Sequence, residues 1–173
     1  VEPIEPPELF EWFVEFRRSL GMHVVPLGPK AGAEVVRGVR ARHVVCLLSD
    51  RDIQGGGIEV EFFGERTTLP GGPATLALRT GAPILPCAVY NRQRGHHCVI
   101  RPPIPVERRG SLREDVTRIT QYVATELEAL IRAAPEQWHL MAPNWPSDHR
   151  ALVAAGLRPP AEARPGEGAE PSK

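Results

Sequence analysis

Five consecutive apolar residues, Val44 to Leu48, run directly into Ser49-Asp50-Arg51-Asp52. A run this short, bounded by polar residues, suits a strand covered on both faces better than a helix. It ends in two carboxylates. In open α/β folds, ligands and catalytic side chains gather beyond the carboxyl ends of parallel strands. Further on, Leu69-Pro70-Gly71-Gly72-Pro73-Ala74 forms a glycine-rich turn that opens a helix. The expectation is an α/β domain with Asp50 at a strand end.

The flanking pattern extends that reading. Pro6-Pro7 precede a helical stretch from Glu8 to Leu20, with Leu9, Phe13, Phe16 and Leu20 on one face and Gly21 placed to end it. His23 to Leu27 reads as a strand, Ala31 to Arg42 as a helix weakened by Gly38, and Val44 to Leu48 as a strand, which together argue for a parallel βαβ unit. After the loop Gln54-Gly55-Gly56-Gly57, read as mobile, Ile58 to Phe62 alternates as a half-buried strand. Pro73 suits the first turn of a helix to Thr80, which Gly81 stops. Ala82 to Tyr90 and Cys98 to Arg101 read as strands joined by a polar tip from Asn91 to His97. Ser111-Leu112-Arg113-Glu114 matches a capping box, and Val116, Ile119, Val123, Leu127 and Leu130 form the stripe of the longest helix, which Pro135 ends. The fold expected is therefore α/β, a mixed sheet parallel at its centre and covered by helices. It occupies residues 1–148 and is followed by a Pro, Gly and Glu-rich tail, 149–173, expected to be disordered.

At 173 residues the chain has room for one domain with a real core. Its 21 basic and 21 acidic side chains balance, which removes any general argument for nucleic acid as a partner. The charge is uneven, however. The start is acidic, whereas Arg92, Arg94, Arg101, Arg108, Arg109 and Arg113 face only Glu107 over their own span. Such a region suits an anionic membrane surface or a phosphorylated ligand, and equally a solvated hairpin and linker. Cys46, Cys87 and Cys98 lie in apolar runs without C-x-x-C spacing and read as buried, reduced thiols. No apolar run is long enough to span a bilayer.

Each polar constellation has a chemical and a structural reading. Asp50 either caps a turn or serves as the acidic partner of a histidine, accepting its N–H and stabilising the imidazolium. Arg51 either pairs with a neighbour or binds substrate. Gly71 and Gly72 present backbone amides at a helix N-terminus, suited to a phosphate, or simply permit tight packing. Arg17, in the last turn of the first helix, complements the helix dipole or clamps a phosphate or sugar hydroxyls. None of the six histidines pairs with Cys or carboxylates at metal-ligand spacing, so no metal is expected. No G-x-S-x-G element is present, which argues against covalent hydrolysis.

Taken in order, Phe13-Val14-Glu15-Phe16-Arg17-Arg18-Ser19-Leu20-Gly21, the Asp50 segment, Phe62-Phe63-Gly64-Glu65, Pro70-Gly71-Gly72-Pro73-Ala74, Gly81-Ala82-Pro83-Ile84-Leu85-Pro86 and Pro135-Glu136-Gln137-Trp138 resemble the bacterial lipid A/phosphatidylinositol mannoside acyltransferase family. The resemblance covers residues 1–148 and leans to the mannoside branch. Where the lipid A branch usually has W-x-H-R-R-F, this chain has Trp138-His139-Leu140-Met141-Ala142-Pro143-Asn144-Trp145.

The resemblance implies a glycerophosphate-acyltransferase-like fold and a peripheral enzyme on the cytoplasmic face of the plasma membrane. It would move a fatty acyl group from acyl-CoA, or an acyl carrier protein, to a mannose hydroxyl of a mannosylated phosphatidylinositol glycolipid. It implies no cofactor beyond that donor substrate. The family base is the histidine of an H-x4-D motif, oriented by a downstream carboxylate, and Asp50 stands at the carboxylate's position. Glu2 and Arg17 stand where the family places further polar residues on the acceptor side. No histidine here is followed five residues later by Asp, so the base is expected N-terminal to Val1 and the chain alone is expected to be inactive. Two alternatives stand beside this reading: a lipid A-type late acyltransferase, and a non-catalytic acyl-CoA- or lipid-binding relative.

Overall fold

The computed structural model describes residues 1, 4–53 and 55–157. The chain divides into two compact units, Val1–Cys46 and the part from Leu47 onward.

The first unit holds two helices. Helix α1 runs Pro7–Ser19, with Pro at its start, Glu8 in its first turn, and Arg17 and Arg18 in its last, all matched to the helix dipole. Gly21, at φ 80°, closes it: the Met22 amide donates to the Arg17 carbonyl (3.1 Å) and the Gly21 amide to that of Arg18 (2.8 Å), a Schellman closure. Helix α2 runs Ala31–Arg40. It ends the same way, with the His43 amide on the Gly38 carbonyl (3.0 Å) and Arg42 itself in the left-handed region at φ 63°. The predicted helix to Arg42 is thus two residues shorter.

The second unit is built on the longest helix. A hairpin of β1 (Ile58–Phe62) and β2 (Glu65–Leu69) comes first, antiparallel, with Phe62 opposite Glu65. Phe63 (φ 56°) and Gly64 (φ 81°) are both at positive φ, as a type I′ turn requires. Val60 and Phe62 are buried while Glu59 and Glu61 are exposed, the alternation expected of a half-buried strand. Helix α3 (Gly72–Thr80) ends at Gly81 in the left-handed conformation. A second hairpin pairs β3 (Cys87–Asn91) with β4 (His96–Ile100), and Ile84 bridges to Ile104 below it. His96 and His97 therefore belong to a strand and not to the loop tip, because the turn closes tightly with the Arg92 amide on the Gly95 carbonyl.

Helix α4 spans Leu112–Arg132 and carries the predicted capping box, with the Glu114 amide donating to Ser111 Oγ (3.3 Å) and the Ser111 amide to Glu114 Oε2 (2.8 Å). Its apolar stripe makes the core. Val116, Ile119 and Val123 pack with Ala74 and Ile104, and Ala124 packs with Val60, Phe62 and Leu69. A short 3-10 turn, Pro135–Gln137, follows, and then helix α5 (Pro146–Ala154), which crosses the expected boundary at residue 148. Residues 158–173 of the expected tail lie outside the described residues.

The protein is mixed α/β, and the expected sheet with a parallel centre is not confirmed. Among the described residues both sheets are two-stranded and antiparallel, and neither His23–Leu27 nor Val44–Leu48 forms a ladder. Val44 and Leu48 are each 92% exposed. An apolar run becomes a buried strand only when neighbouring strands pair with it, and no described segment does. The three cysteines are likewise exposed instead of buried. Cys87 and Cys98 occupy the strand positions of the second hairpin that alternate away from half-buried Ala88 and Val99.

Candidate active site

The two carboxylates that follow the apolar run have different surroundings. Asp52 organises its own loop. Its Oδ1 accepts from the Gly55 amide (3.1 Å), and its Oδ2 from the Gly57 amide (2.7 Å) and Thr68 Oγ1 (3.1 Å). The glycine loop is therefore pinned at both ends of its run. A Cβ on Gly57 would lie 2.7 Å from both Asp52 Oδ2 and the Leu69 carbonyl, so glycine is needed there for close approach.

Asp50 is half-buried and reaches across the unit. Its Oδ2 accepts a hydrogen bond from the indole Nε1 of Trp138 at 2.8 Å, 88 residues away. Among the described residues this is the one hydrogen bond to that carboxylate, which leaves Oδ1 with acceptor capacity. Trp138 sits directly after the 3-10 turn, whose Gln137 side chain accepts from the Asn91 amide (2.7 Å) and so ties the turn to the end of β3.

The indole belongs to an aromatic corner. It stacks on Phe63 (centroids 5.8 Å, planes 19° apart) and meets Phe62 and Trp145 edge-on, each at 6.1 Å. Phe63 is a bulky residue in a left-handed turn, a conformation that costs free energy. Its surroundings hold it there. The Phe63 amide donates to Glu128 Oε1 on α4 (2.6 Å), and the Arg132 guanidinium lies 4.8 Å from the ring centroid. Trp145 Nε1 donates to the Phe62 carbonyl (2.9 Å), and the Thr67 hydroxyl donates to the carbonyl of Asn144. Trp138 and Trp145 also line a cleft of about 760 Å³ whose other walls include Leu140, Pro143, Leu152 and Leu157.

The remaining candidates are dispersed. Gly71 precedes α3, and a Cβ there would lie 2.7 Å from Ile58 Cγ1, so close packing accounts for its lack of a side chain. Gly72 is exposed, with open space around it. Arg51 is half-buried and partnered. In the first unit Arg17 folds back on its own helix, 5.3 Å from the Phe13 ring centroid, with Nη1 donating to the Phe13 carbonyl (3.4 Å). Glu2 lies outside the described residues. Among the described residues no cluster of three or more His, Cys, Asp or Glu is arranged to hold a metal. Nor is any helix long and apolar enough to cross a membrane.

Part of the basic span is neutralised by acidic residues within it and on α4. Arg101 pairs with Glu126 (2.8 Å), Arg108 with Asp115 (3.4 Å) and Arg109 with Glu107 (2.6 Å). Arg92 and Arg94, on the tip of the second hairpin, make no ion pair among the described residues.

Sequence reasoning did not assign Trp138 a role. The available signal was an indole, which seeks a hydrogen-bond acceptor when removed from water, placed after a proline-initiated turn.

Comparison with known proteins matches residues 1–147 to the family described as bacterial lipid A biosynthesis acyltransferase. The phosphatidylinositol mannoside acyltransferase of Mycobacterium tuberculosis (strain CDC 1551 / Oshkosh) is 38% identical over 160 residues, covering 91% of this chain and 49% of the relative. The protein of the same name from Mycolicibacterium smegmatis (strain ATCC 700084 / mc(2)155) is 36% identical over 150 residues, covering 85% of this chain and 48% of the relative. The chain spans about half the length of the curated relatives it matches. With the family pattern running through nearly all of its described length, and Asp50 set at the indole of the Pro-Glu-Gln-Trp segment, the chain belongs to the bacterial lipid A biosynthesis acyltransferase family.

Proposed function

We propose that this chain supplies the supporting side of an acyl-transfer site, in an enzyme that moves a fatty acyl group from acyl-CoA to a mannose hydroxyl of a phosphatidylinositol mannoside. The acceptor follows the names of the relatives, and the chemistry follows Asp50. A histidine in the half of the enzyme that this chain does not span takes the proton of the acceptor hydroxyl. The freed oxygen attacks the thioester carbonyl carbon, the C–S bond breaks, and the departing thiolate recovers the proton. Asp50 accepts the second imidazole N–H and stabilises the imidazolium through the step. On this reading the chain by itself does not turn over. The phosphates of donor or acceptor have the amides at Gly71 and Gly72 and the guanidiniums of Arg17 and Arg51 as candidate partners. The enzyme rests on the cytoplasmic face of the plasma membrane, with Arg92 and Arg94 toward its anionic lipids.

The observation that carries this reading is the half-buried Asp50 carboxylate, held through one oxygen and retaining the other for a partner. In the enzyme at the full length of its relatives, Asp50→Asn is expected to lower kcat by about 10²–10⁴-fold with little change in Tm, since it removes charge and keeps volume. Turnover near that of the wild type would overturn the assignment. Asp52→Asn is the contrasting variant: it weakens the clamp on Gly55 and Gly57, so it is expected to lower Tm and to affect kcat less.

A further inference from the structure

We propose that Trp138 is a positioning residue for the Asp50 carboxylate. The inference rests on the reading of Asp50 as the histidine's partner and adds what makes that partner directional. A carboxylate on a short side chain still turns about two bonds. To receive an imidazole N–H in a fixed direction, it needs one oxygen held by something rigid. Trp138 Nε1 is a single donor in the plane of a ring, and it reaches Asp50 Oδ2 at 2.8 Å.

The ring itself has little freedom. Phe63 stacks on it, and Phe62 and Trp145 meet it edge-on. Two of these three rings are themselves fixed by polar bonds, Phe63 through Glu128 on α4 and Trp145 through the Phe62 carbonyl. The orientation of Asp50 is thus inherited from α4 and the first hairpin through one indole N–H. Partners that orient metal-ligating side chains from outside typically carry ten- to a hundredfold effects on removal, and a donor that orients a catalytic carboxylate is expected to act on the same scale.

The competing role for Trp138 is packing alone, with Asp50 merely satisfying an indole that would otherwise lack an acceptor. The two roles separate cleanly when the N–H is removed and the shape retained. Replacing Trp138 by 3-benzothienylalanine puts sulfur in place of N–H in a ring of nearly the same size, and Trp138→Phe keeps an aromatic stack on Phe63. In the enzyme at the full length of its relatives, both changes are expected to lower kcat by about ten- to a hundredfold. KM for donor and acceptor and the Tm of the benzothienyl variant should stay close to wild type. In an Asp50→Asn background neither change is expected to lower kcat further, because there is no charge left to orient.

Nuclear magnetic resonance on the enzyme at the full length of its relatives tests the contact without turnover. The Trp138 indole N–H signal is identified as the one lost in Trp138→Phe, and Asp50→Ala is expected to move it. Wild-type kcat in the benzothienyl variant, or losses that multiply independently with Asp50→Asn, would overturn the positioning role. If Asp50→Asn itself leaves kcat unchanged, the functional reading falls, and this inference with it. If Asp50→Asn abolishes turnover while the benzothienyl variant is normal, only the role of Trp138 is lost.

Discussion

Asp115 and Asp50 both sit against apolar clusters of the second unit, and they differ in how many donors surround them. Asp115 is 1% exposed at the start of α4 and is fully engaged. It accepts from the backbone amide of Arg109 (3.0 Å) and from Arg118 (2.7 Å), with Arg108 Nε at 3.4 Å. The Arg118 hydrogen bond, then that of the Arg109 amide, holds its carboxyl below the ordinary value against the opposing effect of burial. Asp50 is half-buried and, among the described residues, takes one hydrogen bond, from an indole. A carboxylate surrounded by donors on all sides has no acceptor capacity for anything outside the fold. One held at a single oxygen is oriented and still available. Sequence alone shows two aspartates, and the count of donors distinguishes them.

The contrast is open to test at several strengths. The largest effect is expected at Asp115. Asp115→Asn removes a buried charge and leaves half-buried Arg118 without its counter-charge, and should lower Tm by more than any change at Asp50. Thermal melts of Asp115→Asn and Asp50→Asn measured side by side check the order, and a larger loss at Asp50 would reverse the comparison.

A pH series sharpens it. Because the folded-state pKa of Asp115 is depressed, the stability it confers is complete above the ordinary value of 3.8 and is lost as pH falls through the lower folded value. The Tm gap between wild type and Asp115→Asn should therefore be constant near neutrality and close only below about pH 4.

Next comes the packing around the same end of α4. A Cβ on Gly71 would lie 2.7 Å from Ile58 Cγ1 and 3.2 Å from Val116 Cγ1, so Gly71→Ala should cost about 1–3 kcal/mol by overpacking. Gly72→Ala, into open space, should be close to neutral by denaturant titration. The smallest effect is expected from cations. Arg101, Arg108 and Arg109 are engaged with Glu126, Asp115 and Glu107, so on the proposed membrane reading the arginines of that span without an ion pair among the described residues are Arg92, Arg94 and Arg113, of which the first two sit on the hairpin tip. Replacing both with Ser should weaken sedimentation with anionic liposomes by at most about 1 kcal/mol per residue, with the difference shrinking as salt is added.

Much of the second unit was legible in the sequence because its signals are local. The capping box at Ser111, the stripe from Val116 to Leu130, Gly81 as a helix stop and the alternation of Ile58 to Phe62 depend on neighbours within a turn or a strand, and the structure carries each of them. Reasoning from pattern failed where a feature depends on what lies opposite. Val44 to Leu48 has the composition of a buried strand, yet composition records a preference for cover and says nothing of what supplies it. The strand β2 was missed because Arg66-Thr67-Thr68 carries little apolar signal of its own, and it pairs because the Phe63-Gly64 turn delivers it to β1. The candidate site was half legible. Asp50 stood out by its place after an apolar run, and its resemblance to the family carboxylate gave it a role. Its distinction from Asp52, and its bond to Trp138, lie in contacts 16 and 88 residues apart in sequence, beyond any local pattern.

That 88-residue separation also bears on when the corner comes into being. A ribosome adding about 5–20 residues per second needs roughly 4–18 s to travel from Asp50 to Trp138. Throughout that interval the aspartate exists without its donor. The hairpin of β1 and β2 and helix α4 are complete earlier in the chain, and closing so long a loop has an entropic cost that the already formed elements must offset. Orientation of Asp50 is thus a late event in biogenesis. A nascent chain interrupted between Arg132 and Trp138 would hold the hairpins and α4 without the donor that directs the carboxylate.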